Sequence, residues 1–488
     1  MKSAERGGGW RAAIALAAAL LASGCAVGPN YRRPPFDTAA AYKELDGWKP
    51  SEPADTLARG AWWRIFHDDV LDELESRVEI SNENIKAAAA AVEEARALVR
   101  QAQASFWPSL SVSTSLERTS SGAGGGIVIP GGSGGAAFAS SASSRTFYSA
   151  GASLDWGIDI WGQVRRNVES ARASAQASEA ALAAARLSAQ AELATDYFAL
   201  RSQDQLQILL ADIVAADERA LQITQARYRV GVAYKADIVT AQTQLLSAQA
   251  QQVNARIQRA TLEHAIAVLV GAQPAAFSLQ PAALTTSVPT VPPGIPSMLL
   301  ERRPDIAEAE RNMAAANAKI GVAISSFFPS LTLTGSDDYQ GSIFDKLIRA
   351  SNRIWSFGPS LAETIFNGGA RWAQVAQSRA AYQASVHDYR QTVLAAFEQV
   401  EDELATLRVL EKQAVLEDQL VKASREAETL TLNQYKAGTV PYSSVISAQT
   451  TRLTSEETAL TVQLNRLTAS IALIEAVGGG WDASELRR

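Results

Sequence analysis

The chain has 488 residues, of which 47% are hydrophobic, 7% aromatic and 20% charged, with a formal net charge of -6. Excess acid argues against nucleic acid as a partner, and a single cysteine, Cys25, excludes an internal disulfide. Ala, Gln, Ser and Leu dominate over aromatics, the composition of long packed helices.

Lys2, Arg6 and Arg11 form a basic start, Ile14 to Ala22 an apolar stretch, and Leu21-Ala22-Ser23-Gly24-Cys25 a junction of small residues. The pattern over 1–24 reads as a bacterial lipoprotein signal: small residues admit a peptidase, and the thiol that follows can take a thioether-linked diacylglycerol. Cys25 is the expected lipidation site, carrying diacylglycerol and an N-acyl chain, with no other cofactor and no metal expected. An ordinary signal peptide with an incidental cysteine is the alternative. Cleavage before Cys25 removes three basic residues and Glu5, moving the charge from -6 to about -8. Ala26 is not the aspartate that holds many lipoproteins at the inner membrane, which favours the outer membrane. Residues 25–65 read as a lipidated tether. Beyond the signal no run of about 18 apolar residues occurs, so any membrane crossing must be made by strands.

Two units follow, 66–280 and 300–480, joined by a linker at 281–299 and ended by a tail at 481–488. In the first, Phe106-Trp107-Pro108-Ser109-Leu110 opens a strand in which Leu110, Val112, Thr114 and Leu116 alternate with serines. A Gly/Ser-rich loop, roughly Thr119 to Thr146, leads to a second alternation through Tyr148, Ala150, Ala152, Leu154 and Trp156. From about Val164 to Arg229 there is neither proline nor glycine, which predicts one helix about 100 Å long if continuous. Gly231 suits its C-terminal stop, and a shorter helix returns over 237–270. Leu206, Leu209, Leu210 and Ile213 give a packing stripe at helical spacing.

The second unit copies the first. Phe327-Phe328-Pro329-Ser330-Leu331 opens the alternation of Leu331 and Leu333, and Trp355, Phe357, Pro359 and Leu361 form its partner, with Pro359 favouring an edge. The long helix recurs over 371–436, ends at Gly438, and returns over 444–477. Arg227-Tyr228-Arg229-Val230-Gly231-Val232 reappears as Gln434-Tyr435-Lys436-Ala437-Gly438-Thr439, at the offset that also relates Val270-Gly271 to Val477-Gly478. Strands apolar on one face and small and polar on the other suit a barrel with lipid outside and water inside, although a soluble sandwich alternates similarly. Four strands cannot close a membrane barrel, whose smallest single-chain forms have about eight, so the barrel must be shared between chains. A trimer would supply twelve strands and a water-filled lumen, a dimer eight and a plugged one.

Together with the paired Tyr-x-x-Gly tips and the strand-opening motifs, Glu301-Arg302-Arg303-Pro304-Asp305-Ile306, Ile365-Phe366-Asn367-Gly368-Gly369 and Gly478-Gly479-Gly480-Trp481 resemble the TolC-like outer-membrane efflux proteins. The lipoprotein junction places the resemblance in the OprM/CusC-type (NodT-type) lipoprotein branch. It implies a mixed α and β membrane protein, internally duplicated, with four transmembrane strands per chain in a shared twelve-stranded trimeric barrel and a long periplasmic α-helical barrel. The implied function is that of the outer-membrane channel component of a tripartite efflux system. Such a homotrimer is a passive duct in the outer membrane that exports small molecules such as drugs, toxic organics or metal ions. Its implied partners are outer-membrane lipid, a periplasmic adaptor (membrane fusion) protein and an inner-membrane pump of the resistance-nodulation-division type. A lipid-anchored helical structural protein or adhesin without a pore is the competing reading.

By the same resemblance, Val230, Gly231 and Val232 with Ala437, Gly438 and Thr439 are the turns that an adaptor hairpin grips. Tyr228, Asp237 and Tyr435 match entrance or gate positions, and Ser444 and Ser447 stand where relatives often carry aspartates, which puts a dense carboxylate ring in doubt. Asp237 also lies in the first turn of a helix, where the dipole favours any carboxylate. No enzyme is expected. Gly131-Gly132-Ser133-Gly134-Gly135 fits a nucleophile pattern without the helix it requires, Gly124-Gly125-Gly126 opens no phosphate-binding helix, and His67, His264 and His387 have no partner at ligand spacing.

Overall fold

The computed structural model describes residues 26–36, 39, 41–44, 61–121, 143–289, 291 and 301–486. The signal-like segment with Cys25, residues 122–142 with both glycine clusters, and residues 292–300 lie outside the described residues. Two compact units draw alternately on the chain: residues 1–32, 96–173 and 314–384 in one, and 33–95, 174–313 and 385–488 in the other.

The first unit is built on one antiparallel sheet of β1 (Ser109–Ser121), β2 (Ser143–Ile158), β3 (Ser330–Gly341) and β4 (Arg353–Ala362), in the order β1-β2-β3-β4. Residues that pair directly share a face, so the register sorts the side chains. Leu110 faces Leu154, which faces Gly335, which faces Phe357; one residue along, Ser111, Ser153, Ser336 and Ser356 form a row on the opposite face. Hydroxyls bridge that row at 2.8 Å between Ser111 and Ser153 and 3.0 Å between Ser336 and Ser356. On the apolar face Leu110, Val112, Leu116, Trp355, Phe357 and Leu361 are all exposed within the single chain. An ion pair on that face is cross-strand and bidentate, Arg353 donating to Asp337 at 2.8 and 2.9 Å. β1 and β4 are the edges, and Pro359 sits in the edge strand β4.

The start of the described chain is fastened to this unit rather than hanging from it. Val27 donates to the carbonyl of Trp161 at 3.0 Å, while Arg166 reaches the carbonyls of Val27 and Gly28 and the side chain of Asn30. Gly28, at φ +95°, crosses Gly321 so closely that a Cβ there would lie 2.5 Å from its Cα. Only two glycines allow backbones to pass at that distance.

The second unit is helical. Its elements include α1 (Asp69–Ser81) and the returning helices α4 (Lys235–Leu269) and α7 (Tyr442–Ala476), of 35 residues each. Four helices have residues in both units: α2 (Glu83–Ala104), α3 (Gln163–Arg229), α5 (Pro304–Ser325) and α6 (Ala370–Ala437). α3 and α6 have 67 and 68 residues, so the duplication extends to element length. Among the described residues no helix is long and apolar enough to cross a membrane.

The core of this unit gathers Trp62, Trp63 and Phe66 with Leu71, Leu74 and Val78 of α1. Against them pack Leu193, Tyr197 and Phe198 of α3, Val400 and Leu404 of α6, and Ile471, Leu473 and Ile474 of α7. Each such side chain contributes about 1.5–3 kcal/mol by leaving water. The two repeats close their returning helices alike. Asn82 donates to the Leu269 carbonyl at 2.9 Å, Arg303 to that of Ala476 at 3.0 Å, and each satisfies an orphan carbonyl at a helix end. Arg303 is held in turn by Asp305 at 3.0 and 2.6 Å, which gives the Arg302-Arg303-Pro304-Asp305 motif a structural purpose.

Candidate functional site: the helical tips

Both long helices end in the same way because both sequences place a glycine just past the helix, Gly231 two residues after Arg229 and Gly438 directly after Ala437. Gly231 has φ +79° and Gly438 φ +78°, the left-handed region that costs other residues about 1–2 kcal/mol. At the first tip Gly231 donates to the Tyr228 carbonyl at 2.9 Å and Val232 to that of Arg227 at 3.0 Å; at the second, Gly438 donates to Tyr435 at 2.9 Å and Thr439 to Gln434 at 3.0 Å. This pair of bonds is the Schellman termination. The turns leave Val230 and Val232 projecting into solvent, and Gly231 has open space where a Cβ would be.

The sequence-matched tyrosines are not equivalent. Tyr435 is 4% exposed and packs in a cluster with Ala220, Ala241, Tyr442 and Val445. Its hydroxyl shares a 3.2 Å hydrogen bond with that of Thr224, itself buried. Tyr228 is 44% exposed, and its hydroxyl bonds to no described residue of the chain. Asp237 is committed locally: its carboxylate accepts the backbone N–H of Tyr234 at 2.9 Å, capping α4. Ser447 is exposed and donates to the Ser443 carbonyl at 3.2 Å, and Ser444 is half-buried near the start of α7.

The tie between the tips is made by a residue that sequence reasoning did not single out. Arg227 donates to the carbonyls of Tyr435 at 2.8 Å and Lys436 at 3.1 Å, and its guanidinium lies 4.7 Å from the centre of the Tyr435 ring. A cation thus meets the negative end of α6 and an aromatic face at once. A signal was present in the repeat: the counterpart of Arg227 is Gln434, so the two tips differ in charge at that position.

Residues 74–272 and 295–479 match the outer membrane efflux protein family. The chain belongs to that family. The toluene efflux pump outer membrane protein TtgC of Pseudomonas putida is 28% identical over 466 residues, covering 95% of this chain and 94% of that one. The cation efflux system protein CusC of Escherichia coli is 27% identical over 478 residues, covering 95% and 97%. In three dimensions the outer-membrane channel OprN matches with a TM-score of 0.83 at 27% identity, over 94% of this chain and all of that one.

Proposed function

We propose that the chain is the outer-membrane duct of a tripartite efflux system, assembled as a homotrimer and joined through its tips to a periplasmic adaptor and an inner-membrane pump of the resistance-nodulation-division type. Family membership supports the outer-membrane efflux role and the dependence on partner proteins. The observation that carries the trimer is the open sheet, with an exposed apolar face, a hydroxyl-lined opposite face, and edges β1 and β4 unpaired among the described residues. In lipid each unpaired backbone group costs several kcal/mol, so the edges must pair with other copies. Three copies give twelve strands, enough for a lumen filled with water.

A passive bore needs no catalytic residue, and the force that moves cargo comes from the pump. In this reading Val230, Gly231, Val232, Ala437, Gly438 and Thr439 meet the adaptor. Tyr435 and Tyr228 hold the resting entrance, Asp237 adds a threefold set of charges, and Ser444 and Ser447 leave the second-repeat ring uncharged. Lipid on Cys25 supplements the barrel as an anchor. The cargo class, drugs, toxic organics or metal ions, is set mainly by the pump. Mass measurement in detergent together with planar-bilayer recording tests the proposal: a conducting trimer is expected, and a stable monomer or dimer that conducts overturns the shared barrel.

A further inference from the structure

Ten residues before Arg227 on α3, Asp217 is fully buried, and neither of its carboxylate oxygens has a hydrogen-bond partner among the described residues. Its surroundings are ionic but already spoken for. From α6 it faces Glu428, and from α7 Arg452 and Tyr442. Arg452 is paired with Glu428 at 2.5 Å and with Glu456 at 3.3 Å, and Glu456 also binds Arg425 at 2.6 Å. Two guanidiniums are therefore met by two carboxylates, and Asp217 is the third acid. The returning helix α4 brings no ionisable side chain between Asp237 and Arg256. The hydroxyl of Tyr442 is likewise buried and without a partner among the described residues, so this part of the helix seam holds polar groups without bonds where apolar packing would hold firmly.

We propose that Asp217 is a proton-operated regulator of the tips: protonated, it lets α3, α6 and α7 stay packed, and ionised, it drives them apart far enough to reach water. An unpaired buried carboxylate is tolerated when neutral and strongly disfavoured when charged. Burial first, and then the charge of Glu428, push this carboxyl up to about 6, with Arg452 pulling the other way. Asp217 adjoins the Ala220, Tyr435 and Tyr442 cluster one turn along the helix, so a loosened seam releases the tie that closes the tip. The regulatory meaning rests on reading the tips as the duct entrance; the proton linkage itself does not.

The sign follows from where the proton sits. The packed state holds it up to a higher pH than the opened state, whose carboxyl returns toward 3.8, so opening becomes more frequent as pH rises between those values and levels off above the upper one. The test is hydrogen–deuterium exchange of the full-length protein, read as protection factors for peptides covering 217–232 and 435–449 between pH 5 and pH 8. Protection in the parent should fall about tenfold across that range. Asp217→Asn keeps the shape and removes the charge, and should hold protection at its acidic level throughout. Glu428→Gln frees Arg452 for Asp217 and should flatten the profile, which keeps the test available if the first variant assembles poorly. A pH profile that is the same in the parent and both variants overturns the proposal. Loss of conduction in the parent would instead count against the duct, leaving the exchange result intact.

Discussion

Arg227 concentrates the resting contact between the tips in one side chain. Hydrogen bonds to a charged group contribute about 1.5–3 kcal/mol, so Arg227→Ala should speed exchange of the amides around Gly438 and raise resting conductance. Arg227→Lys retains charge but loses the planar fork over the ring, and should fall between. Tyr435→Phe gives up the Thr224 bond, worth about 1 kcal/mol, and should also increase opening. Tyr228→Phe should change nothing within a chain, so any effect of that variant reports a contact with a neighbouring copy. Unchanged resting conductance in all of these would leave the tip contacts with a purely structural role. A second residue carries a pH dependence. Glu75 on α1 is fully buried with both oxygens unpartnered among the described residues, and burial, then Asp72, push its carboxyl up to about 9 from 4.5. Its folded value is raised, so stability is greatest below 4.5 and declines as pH rises toward 9. At pH 7 this weakens the fold by on the order of 3 kcal/mol. Glu75→Gln should therefore melt higher than the parent at pH 8 and close to it at pH 4.5; parallel melting profiles would show that this carboxyl is not the source.

Among the elements, the sheet offers a sharp contrast between neighbouring residues. Leu154 lies on the apolar face of the inner strand β2 and Ser153 on the hydroxyl face. Leu154→Arg should cost about 2–4 kcal/mol in lipid and reduce folding into vesicles, whereas Ser153→Arg should fold and alter ion flow. If both variants fold equally well, the apolar face does not meet lipid. Helices were legible almost to the residue: the expected 164–229 and 371–436 became Gln163–Arg229 and Ala370–Ala437, because long stretches of helix formers without glycine or proline leave the backbone one regular option. Strands were legible only while their faces differed. β1 continues to Ser121 and β3 to Gly341, beyond the alternation, where polar residues occupy both faces and Asp337 on the apolar side is matched by Arg353 from another strand. The glycine tips were readable from the repeat. Which tyrosine is buried was not, since both stand in similar local sequence, and neither was Asp217, one of many acids on a helix whose inward face is decided by the partners packed on it.

For the whole molecule, duplication makes each chain carry two hairpins of strands and two of helices, with the N-terminal segment fastened along the first unit by Arg166 and the Gly28–Gly321 crossing. A lipid on Cys25 would thus be attached two residues before a backbone already pinned at Val27. The unpaired edges reach further, into genetics. If closure takes a β1 from one copy and a β4 from the next, every copy is a link in a ring, and one link that cannot pair opens the whole ring. In a cell expressing sound and defective alleles together, and mixing them at random, intact ducts would fall with the cube of the sound fraction. Mutations that spoil an edge strand but spare folding should accordingly behave as dominant, while mutations that destroy the chain before assembly should be recessive.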